Sequence, residues 1–149
     1  GRGSERDCYD FRCVFLAPSD RRHLFERIDE RCETIILDGL LQETAGLLAS
    51  CEMTHESMAG RAIGYRQAID YLTRADFGAA DAEAFSNFLL KFGTATRNYA
   101  TQQIKWFRKD PSFLFVSVHP DGRDRVTSQE EVAGLLALSR EEYEARLAA

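Results

Sequence analysis

Two short apolar runs bracket a long helical stretch in this chain, and that arrangement limits the folds open to it. The first run, from about Phe11 to Leu16, carries Val14, Phe15 and Leu16 and is closed by Pro18. The second, Phe113 to Val118, is again apolar and β-rich. Neither run alternates with polar residues, as expected of strands covered on both faces in a parallel sheet. A helical connection between them predicts parallel pairing through a right-handed crossover. Two strands make a poor complete sheet, and an open apolar strand edge invites another chain or a further segment. The expected fold class is therefore α/β: a mostly helical partial domain with two parallel strands from the edge of a larger sheet.

Between the runs the pattern is helical. Ser19 and Asp20 read as an N-cap. From Arg21, apolar Leu24, Ile28, Cys32, Ile35 and Ile36 recur at three- and four-residue steps, with Arg22, Glu26, Asp29, Glu30 and Glu33 on the other face. Gly39 either kinks this helix or ends it and starts a second across Leu40 to Leu48. Ser50 to Ser57 reads as a polar loop. A further helical region is expected over Met58 to Leu72, with a turn at Gly64. After a small-residue connector, Asp76 to Asp81, a long helix runs to about Arg108. Phe85, Phe88, Leu89, Phe92, Tyr99, Trp106 and Phe107 would form its buried stripe, and Pro111 stops it. Pro120-Asp121-Gly122 signals a turn. Thr127-Ser-Gln-Glu130 predicts a capping box opening a terminal helix, and Ser139-Arg-Glu-Glu142 a restart.

Composition narrows the function classes. Hydrophobic residues are 44% and charged residues 29%, as in folded globular chains. The formal charge of −5 opposes general polyanion binding but leaves a local basic patch possible. Basic residues are 16 Arg and 3 Lys; Arg suits bidentate phosphate contacts, though coding bias gives the same skew. The cysteines Cys8, Cys13, Cys32 and Cys51 show no Cys-x-x-Cys pair, and His23, His55 and His119 sit in no zinc-like spacing. Reduced thiols in an intracellular protein, with no metal ligands, are expected. No apolar run reaches membrane-spanning length, so no membrane partner is expected. No secretory signal is visible, and the compartment (cytoplasm, mitochondrion or plastid) stays open.

Three constellations carry candidate chemistry. In Asp20-Arg21-x-x-Leu24-Phe25-x-Arg27-Ile28-x-x-Arg31, Arg27 and Arg31 lie one helical turn apart; they either clamp a diphosphate or pair with Glu26, Asp29 or Glu30. In Arg61-Ala-Ile-Gly64-Tyr65-Arg66-Gln67, two Arg and a Tyr surround a Gly that permits close backbone approach. That set either holds phosphate and stacks on an unpaired base or is a helical corner with Ile63 and Tyr65 in the core. In Thr96-Arg97-Asn98-Tyr99-Ala100-x-x-Gln103-x-Lys105-Trp106-Phe107-Arg108, the cations Arg97, Lys105 and Arg108 share one helix side. They form either an RNA-backbone contact or a solvated amphipathic face. The sequence contains no Gly-Lys dipeptide, so it holds no Walker-type phosphate loop, and nothing in it makes a self-contained active site.

Taken in order and spacing, these segments resemble the tRNA dimethylallyltransferase (isopentenyltransferase) family. Its pattern has Asp-Arg, then Arg-Ile and a further Arg, after a strand; then Ile-Gly-Tyr-Arg/Lys-Gln/Glu; then Thr-Arg-x-Tyr-Ala-Lys-Arg-Gln-x-x-Trp-x-Arg. The match runs from about Phe11 to Val118, and Arg-Ala-Ile-Gly-Tyr-Arg-Gln-Ala looks most like the plant-type branch. The resemblance implies a P-loop-kinase-like sheet whose N-terminal half, with the phosphate loop and general-base Asp, is absent here. It implies transfer of a dimethylallyl group from dimethylallyl diphosphate to N6 of the adenine 3′ of the anticodon, that adenine being flipped out, with Mg²⁺ assisting. The implied partners are the tRNA anticodon stem-loop, dimethylallyl diphosphate and the missing N-terminal half. Arg27 matches a diphosphate-contacting Arg. Arg61, Gly64, Tyr65 and Arg66 match a tRNA-contacting corner, and Gln103, Lys105, Trp106 and Arg108 match the tRNA-contacting end of the long helix. No catalytic residue falls in this half. The family's Lys-Arg pair is Thr101-Gln102 here, which weakens the basic stripe.

The expected organisation is a linker or chain edge over 1–10, the C-terminal part of the transferase domain over 11–127, and a terminal helix over 128–149 packing on the sheet. This chain alone is expected to be inactive. The alternatives are a non-catalytic tRNA-binding remnant and an isopentenyltransferase acting on free adenylate in cytokinin synthesis.

Overall fold

The computed structural model describes residues 10–74, 82–118 and 123–148. The opening linker, Cys8, the connector Asp76 to Asp81, His119 and the turn at Pro120-Asp121-Gly122 lie outside the described residues. In chain order the elements are β1 (Cys13–Pro18), α1 (Arg21–Leu37), α2 (Leu40–Ala49), α3 (Tyr65–Leu72), α4 (Ala82–Phe107), β2 (Phe113–Val118), α5 (Arg123–Ala137) and α6 (Arg140–Leu147). They form two compact units, one of residues 1–24 with 101–149 and one of residues 25–100. Both α1 and α4 contribute residues to each unit.

The strand-bearing unit holds the expected parallel pair. β1 lies along β2 from Cys13↔Phe113 to Pro18↔Val118. The first strand thus starts and ends two residues later than the apolar run implies, and Pro18 closes it from within. Phe15 packs on Phe115 and on Phe107, each at 4.9 Å, and Phe107 meets Phe113 at 4.8 Å. Val116 is fully buried. Asp20 caps α1, accepting from the Arg22 N–H at 2.8 Å. α5 lies on β2, where buried Ser128 donates to the Ser117 carbonyl at 3.0 Å. Thr127 was expected to open this helix, but α5 begins at Arg123 and Thr127 sits inside it. The Ser-x-x-Glu pattern at Ser139 is a true cap. The Glu142 N–H donates to Ser139 Oγ at 3.3 Å, and the Ser139 N–H donates to Glu142 Oε2 at 2.7 Å. The Ser139 N–H, joined by the Ser139 hydroxyl at 2.8 Å, holds the Glu142 carboxyl below its usual range. Tyr143 reaches the Cys13 carbonyl at 3.2 Å, and Arg12 donates to the Leu135 and Leu136 carbonyls at the end of α5. Here a cation faces a helix C-terminus, where it is favoured.

The other unit is helical. Gly39, with φ of +110°, ends α1 and starts α2, a conformation a side chain resists. Its core joins Ile28 and Cys32 of α1, Leu40 of α2, Ala68 and Ile69 of α3, and Phe88 and Phe92 of α4. Thr44 is wholly buried and satisfied by donating to the Leu40 carbonyl at 2.7 Å.

The expected helix over Met58 to Gly64 does not form; α3 starts at Tyr65. Residues 53–60 are held as a turn instead. Ser57 Oγ donates to the Thr54 carbonyl at 2.8 Å and accepts from the Gly60 N–H at 3.1 Å. That side chain takes an amide a helix would use, the usual way Ser competes with helical hydrogen bonds. Met53 is 2% exposed and anchors the turn, whereas Met58 is 92% exposed. Gly60 is dictated by space: a Cβ there would stand 1.9 Å from the Thr54 carbonyl oxygen. Gly60→Ala is expected to destabilise this unit by about 1–3 kcal/mol, because backbone rather than a flexible side chain must move. Urea denaturation checks this, with Gly46→Ala as the reference, since open space surrounds Gly46.

Candidate nucleic-acid interface

An ion pair sets the outward face of α1. Asp29 accepts from Arg97 Nη1, and Arg97 Nη2 donates to Thr94 Oγ1 at 3.1 Å. The guanidinium also lies 5.8 Å from the Phe25 ring centroid. Next to it, Cys32 Sγ donates to Thr96 Oγ1 at 3.6 Å. Burial pushes the Cys32 thiol up from its ordinary value, with the Thr96 hydroxyl opposing. Arg97 is thus a bond between α1 and α4, and the expected stripe of Arg97, Lys105 and Arg108 loses its first member. With Asp29 engaged, Arg27 and Arg31 are exposed, and their side chains have no hydrogen bond or ion pair among the described residues. The alternative in which they pair with Glu26, Asp29 or Glu30 is not formed.

The Arg61–Arg66 segment folds as a tight corner ahead of α3. Gly64 adopts φ of +98°, and its N–H donates to Gln67 Oε1 at 2.9 Å. Gly64 carries no side chain, so only this half of a capping box exists. A Cβ on Gly64 would lie 3.5 Å from the Phe92 ring, so the backbone there rests directly against the core. Fully buried Ala68 and Ile69 fix α3 in register behind it. That register leaves Arg66 exposed, with no side-chain partner among the described residues. Tyr65 donates to Glu43 Oε1 at 2.8 Å, and this bond raises the phenol above its ordinary value. Tyr65 is half-buried and Ile63 is 40% exposed, so neither is the core residue of the bland alternative. Arg61 Nη2 meets Glu56 Oε2 at 3.1 Å. The polar loop Ser50 to Ser57 also brings His55 beside Arg61 and Arg66; nothing in the sequence pattern singles out His55 or Glu56. Among the described residues, no hydrogen bond or ion pair joins this corner to Arg27.

In the strand-bearing unit, Gln103, Lys105, Trp106 and Arg108 are all exposed. Trp106 is 64% exposed, which corrects its expected place in a buried stripe; Tyr99 is 56% exposed. The indole stands edge-on to Phe107 at 4.7 Å, and Phe107 in turn packs on Phe15 and Phe113. Arg108 lies 5.9 Å from the Phe115 ring centroid. A braced, exposed indole beside Lys105 and Arg108 offers a face on which a base can stack and cations for its phosphates.

A metal is a different matter. Among the described residues, no group of three or more His, Cys, Asp or Glu is placed to hold an ion. Among the described residues, no helix is long and apolar enough to cross a membrane.

The IPP transferase family model matches residues 2–110. A tRNA dimethylallyltransferase of Protochlamydia amoebophila is 40% identical over 111 residues, covering 74% of this chain and 30% of that protein. The tRNA dimethylallyltransferase 9 of Arabidopsis thaliana is 43% identical over 113 residues, covering 73% of this chain and 24% of that protein. The chain thus spans less than a third of the length of either relative. The crystal structure of a full-length tRNA isopentenylpyrophosphate transferase from Bacillus halodurans superposes with a TM-score of 0.70 at 22% identity, over 92% of this chain and 41% of that one. That likeness shows the shared fold, an α/β arrangement in which this chain is mostly helical.

The engaged and the unpaired cations should separate in stability. Arg97→Gln, which strands a half-buried Asp29, is expected to lose about 1–2 kcal/mol. Arg27→Gln and Arg66→Gln should stay within about 0.5 kcal/mol of the parent. Equilibrium denaturation of the three variants gives the comparison.

Proposed function

This chain belongs to the IPP transferase family, and on that premise we propose that it is the RNA-facing part of a tRNA dimethylallyltransferase. In that reaction the bond from C1 of the dimethylallyl group to the diphosphate oxygen breaks, and the diphosphate leaves with the electron pair. C1 bonds to N6 of the adenine 3′ of the anticodon, and N6 gives up a proton. Arg27 is assigned to the departing diphosphate, whose growing charge a guanidinium stabilises. Its exposure and lack of any partner support that role. Arg61, Gly64, Tyr65 and Arg66 are assigned to the RNA, with Gln103, Lys105, Trp106 and Arg108 as a second contact region.

The observation that carries the reading is the corner at Gly64. Its positive φ and the burial of Ala68 and Ile69 hold Arg66 outward and unpaired in a protein of net charge −5. An unpaired Arg on a rigid turn is suited to a phosphate and adds little to the fold. Family members also need a phosphate loop and a general-base Asp, and this chain has no Gly-Lys dipeptide. The 149 residues alone are therefore assigned RNA binding without turnover, with the reaction completed by residues outside this chain. Such work on tRNA would place the protein inside a cell.

Two outcomes are expected. Incubated with tRNA and dimethylallyl diphosphate, the chain alone yields no prenylated adenosine by nucleoside mass spectrometry; robust turnover would remove the claim that it is silent. It binds an anticodon stem-loop with salt-dependent affinity, and Trp106→Ala weakens that binding by about 1–3 kcal/mol, the usual worth of one stacked base. Because Trp106 is exposed, its melting temperature should barely change.

A further inference from the structure

His55, Glu56, Arg61 and Arg66 line a surface pocket of about 320 Å³. Their groups are unevenly matched. Arg61 is held by Glu56, through an ion pair whose side chains are 67% and 87% exposed. Arg66 has no partner among the described residues. His55 Nδ1 stands 3.8 Å from Asp70 Oδ1, beyond hydrogen-bonding distance. The pocket therefore presents two guanidinium groups and an imidazole, and one carboxylate arm lies across the first of them. An ion pair this exposed contributes little and is easily exchanged. A phosphodiester has two non-bridging oxygens, one for each Arg, and can take a third donor from His55.

We infer that this pocket is a phosphodiester subsite for the RNA backbone and that Glu56 occupies it as a stand-in anion until RNA displaces it. The inference rests on the RNA-binding reading above and extends it to two residues outside the motif. Its physical content is an exchange: binding breaks Arg61–Glu56 and forms Arg61–phosphate. The gain from the new pair is offset by the loss of the old one, and the freed carboxylate repels the incoming chain. Such a carboxylate disfavours polyanions that make no other contact, while an RNA also held at Arg66 and His55 still enters. Glu56 is thus a specificity-determining residue, and its cost is paid in affinity.

The test is fluorescence anisotropy of the 149-residue chain with an RNA hairpin carrying a single-stranded loop, titrated across salt. Glu56→Gln should tighten binding roughly two- to fivefold. The log affinity–log salt slope should stay nearly the same, because Arg61 meets the same phosphate with or without Glu56. In an Arg61→Ala background most of that gain should vanish, and His55→Ala should weaken binding with Glu56 present. Unchanged or weaker binding by Glu56→Gln overturns the inference. A full gain that persists without Arg61 also overturns it, since Glu56 would then act only as a distant repelling charge. In either case a loss on Arg66→Ala leaves the RNA-binding reading standing. If the parent chain fails to bind the hairpin at low salt, both readings fall together. Glu56 is exposed, and matching melting curves for parent and variant exclude misfolding as the cause.

Discussion

Arg97 and Asp29 meet over Gly93, and much of what the helical unit offers to a ligand depends on that meeting. A Cβ on Gly93 would stand 3.2 Å from both Arg97 Nη1 and Asp29 Oδ1, so the missing side chain is what lets the charges close. Beside them Cys32 and Thr96 make a second polar contact between the same helices. Together with buried Ile28 these contacts fix the rotation of α1 about its axis. Once Asp29 and Ile28 face inward, Arg27 and Arg31 are left exposed. The exposure of the proposed diphosphate-side Arg is thus a consequence of packing on the opposite side of its helix.

The same logic divides the other cations. Arg12 is used in the fold, on two carbonyls at the end of α5 and over the Tyr143 ring. Arg97 is used between α1 and α4. Arg27, Arg66 and Lys105 have no such duty among the described residues. A chain of net charge −5 has no general pull on a polyanion. Any attraction to RNA must come from cations held where acidic neighbours do not neutralise them. On the proposed reading, with Thr101 and Gln102 uncharged, that demand falls on Lys105, Arg108 and the Gly64 corner.

Much of the fold was legible because local signals and long-range packing agreed. The two apolar runs are the two parallel strands, the break at Gly39 is a left-handed glycine, and Ser139 caps α6 with its Glu142 partner. The failures are places where a local pattern has more than one physical solution. Met58 to Gly64 has tolerable helical spacing, yet Ser57 takes the Gly60 amide and Thr54 leaves room only for a glycine. Thr127 has a capping pattern, but a cap is needed only where a helix starts, and α5 was already under way. Charge was similarly ambiguous. The spacing of Arg97, Lys105 and Arg108 shows that they share a side, and cannot show that Asp29, far off in sequence, removes one of them. The motif residues Arg61, Gly64 and Arg66 were readable, whereas His55 and Glu56 became visible only when the turn folded them beside those arginines.

The aromatic side of α4 shows what periodicity leaves out. Phe92, Tyr99 and Trp106 follow at steps of seven, about two helical turns, so they share one face. Phe92 is 3% exposed, against 56% for Tyr99 and 64% for Trp106. A repeating apolar face says that something covers it and does not say what. At Phe92 the cover is the backbone of Gly64. At Trp106 the neighbours along the helix are Gln103, Lys105 and Arg108, and such a rim is costly against an apolar protein surface, where each group would need a partner. Against a nucleotide the same rim is an advantage: the indole takes the base, the cations take the phosphates, and water remains at the edge. On the proposed reading, the residues around the exposed ring, more than the ring itself, suit this end of the helix to RNA.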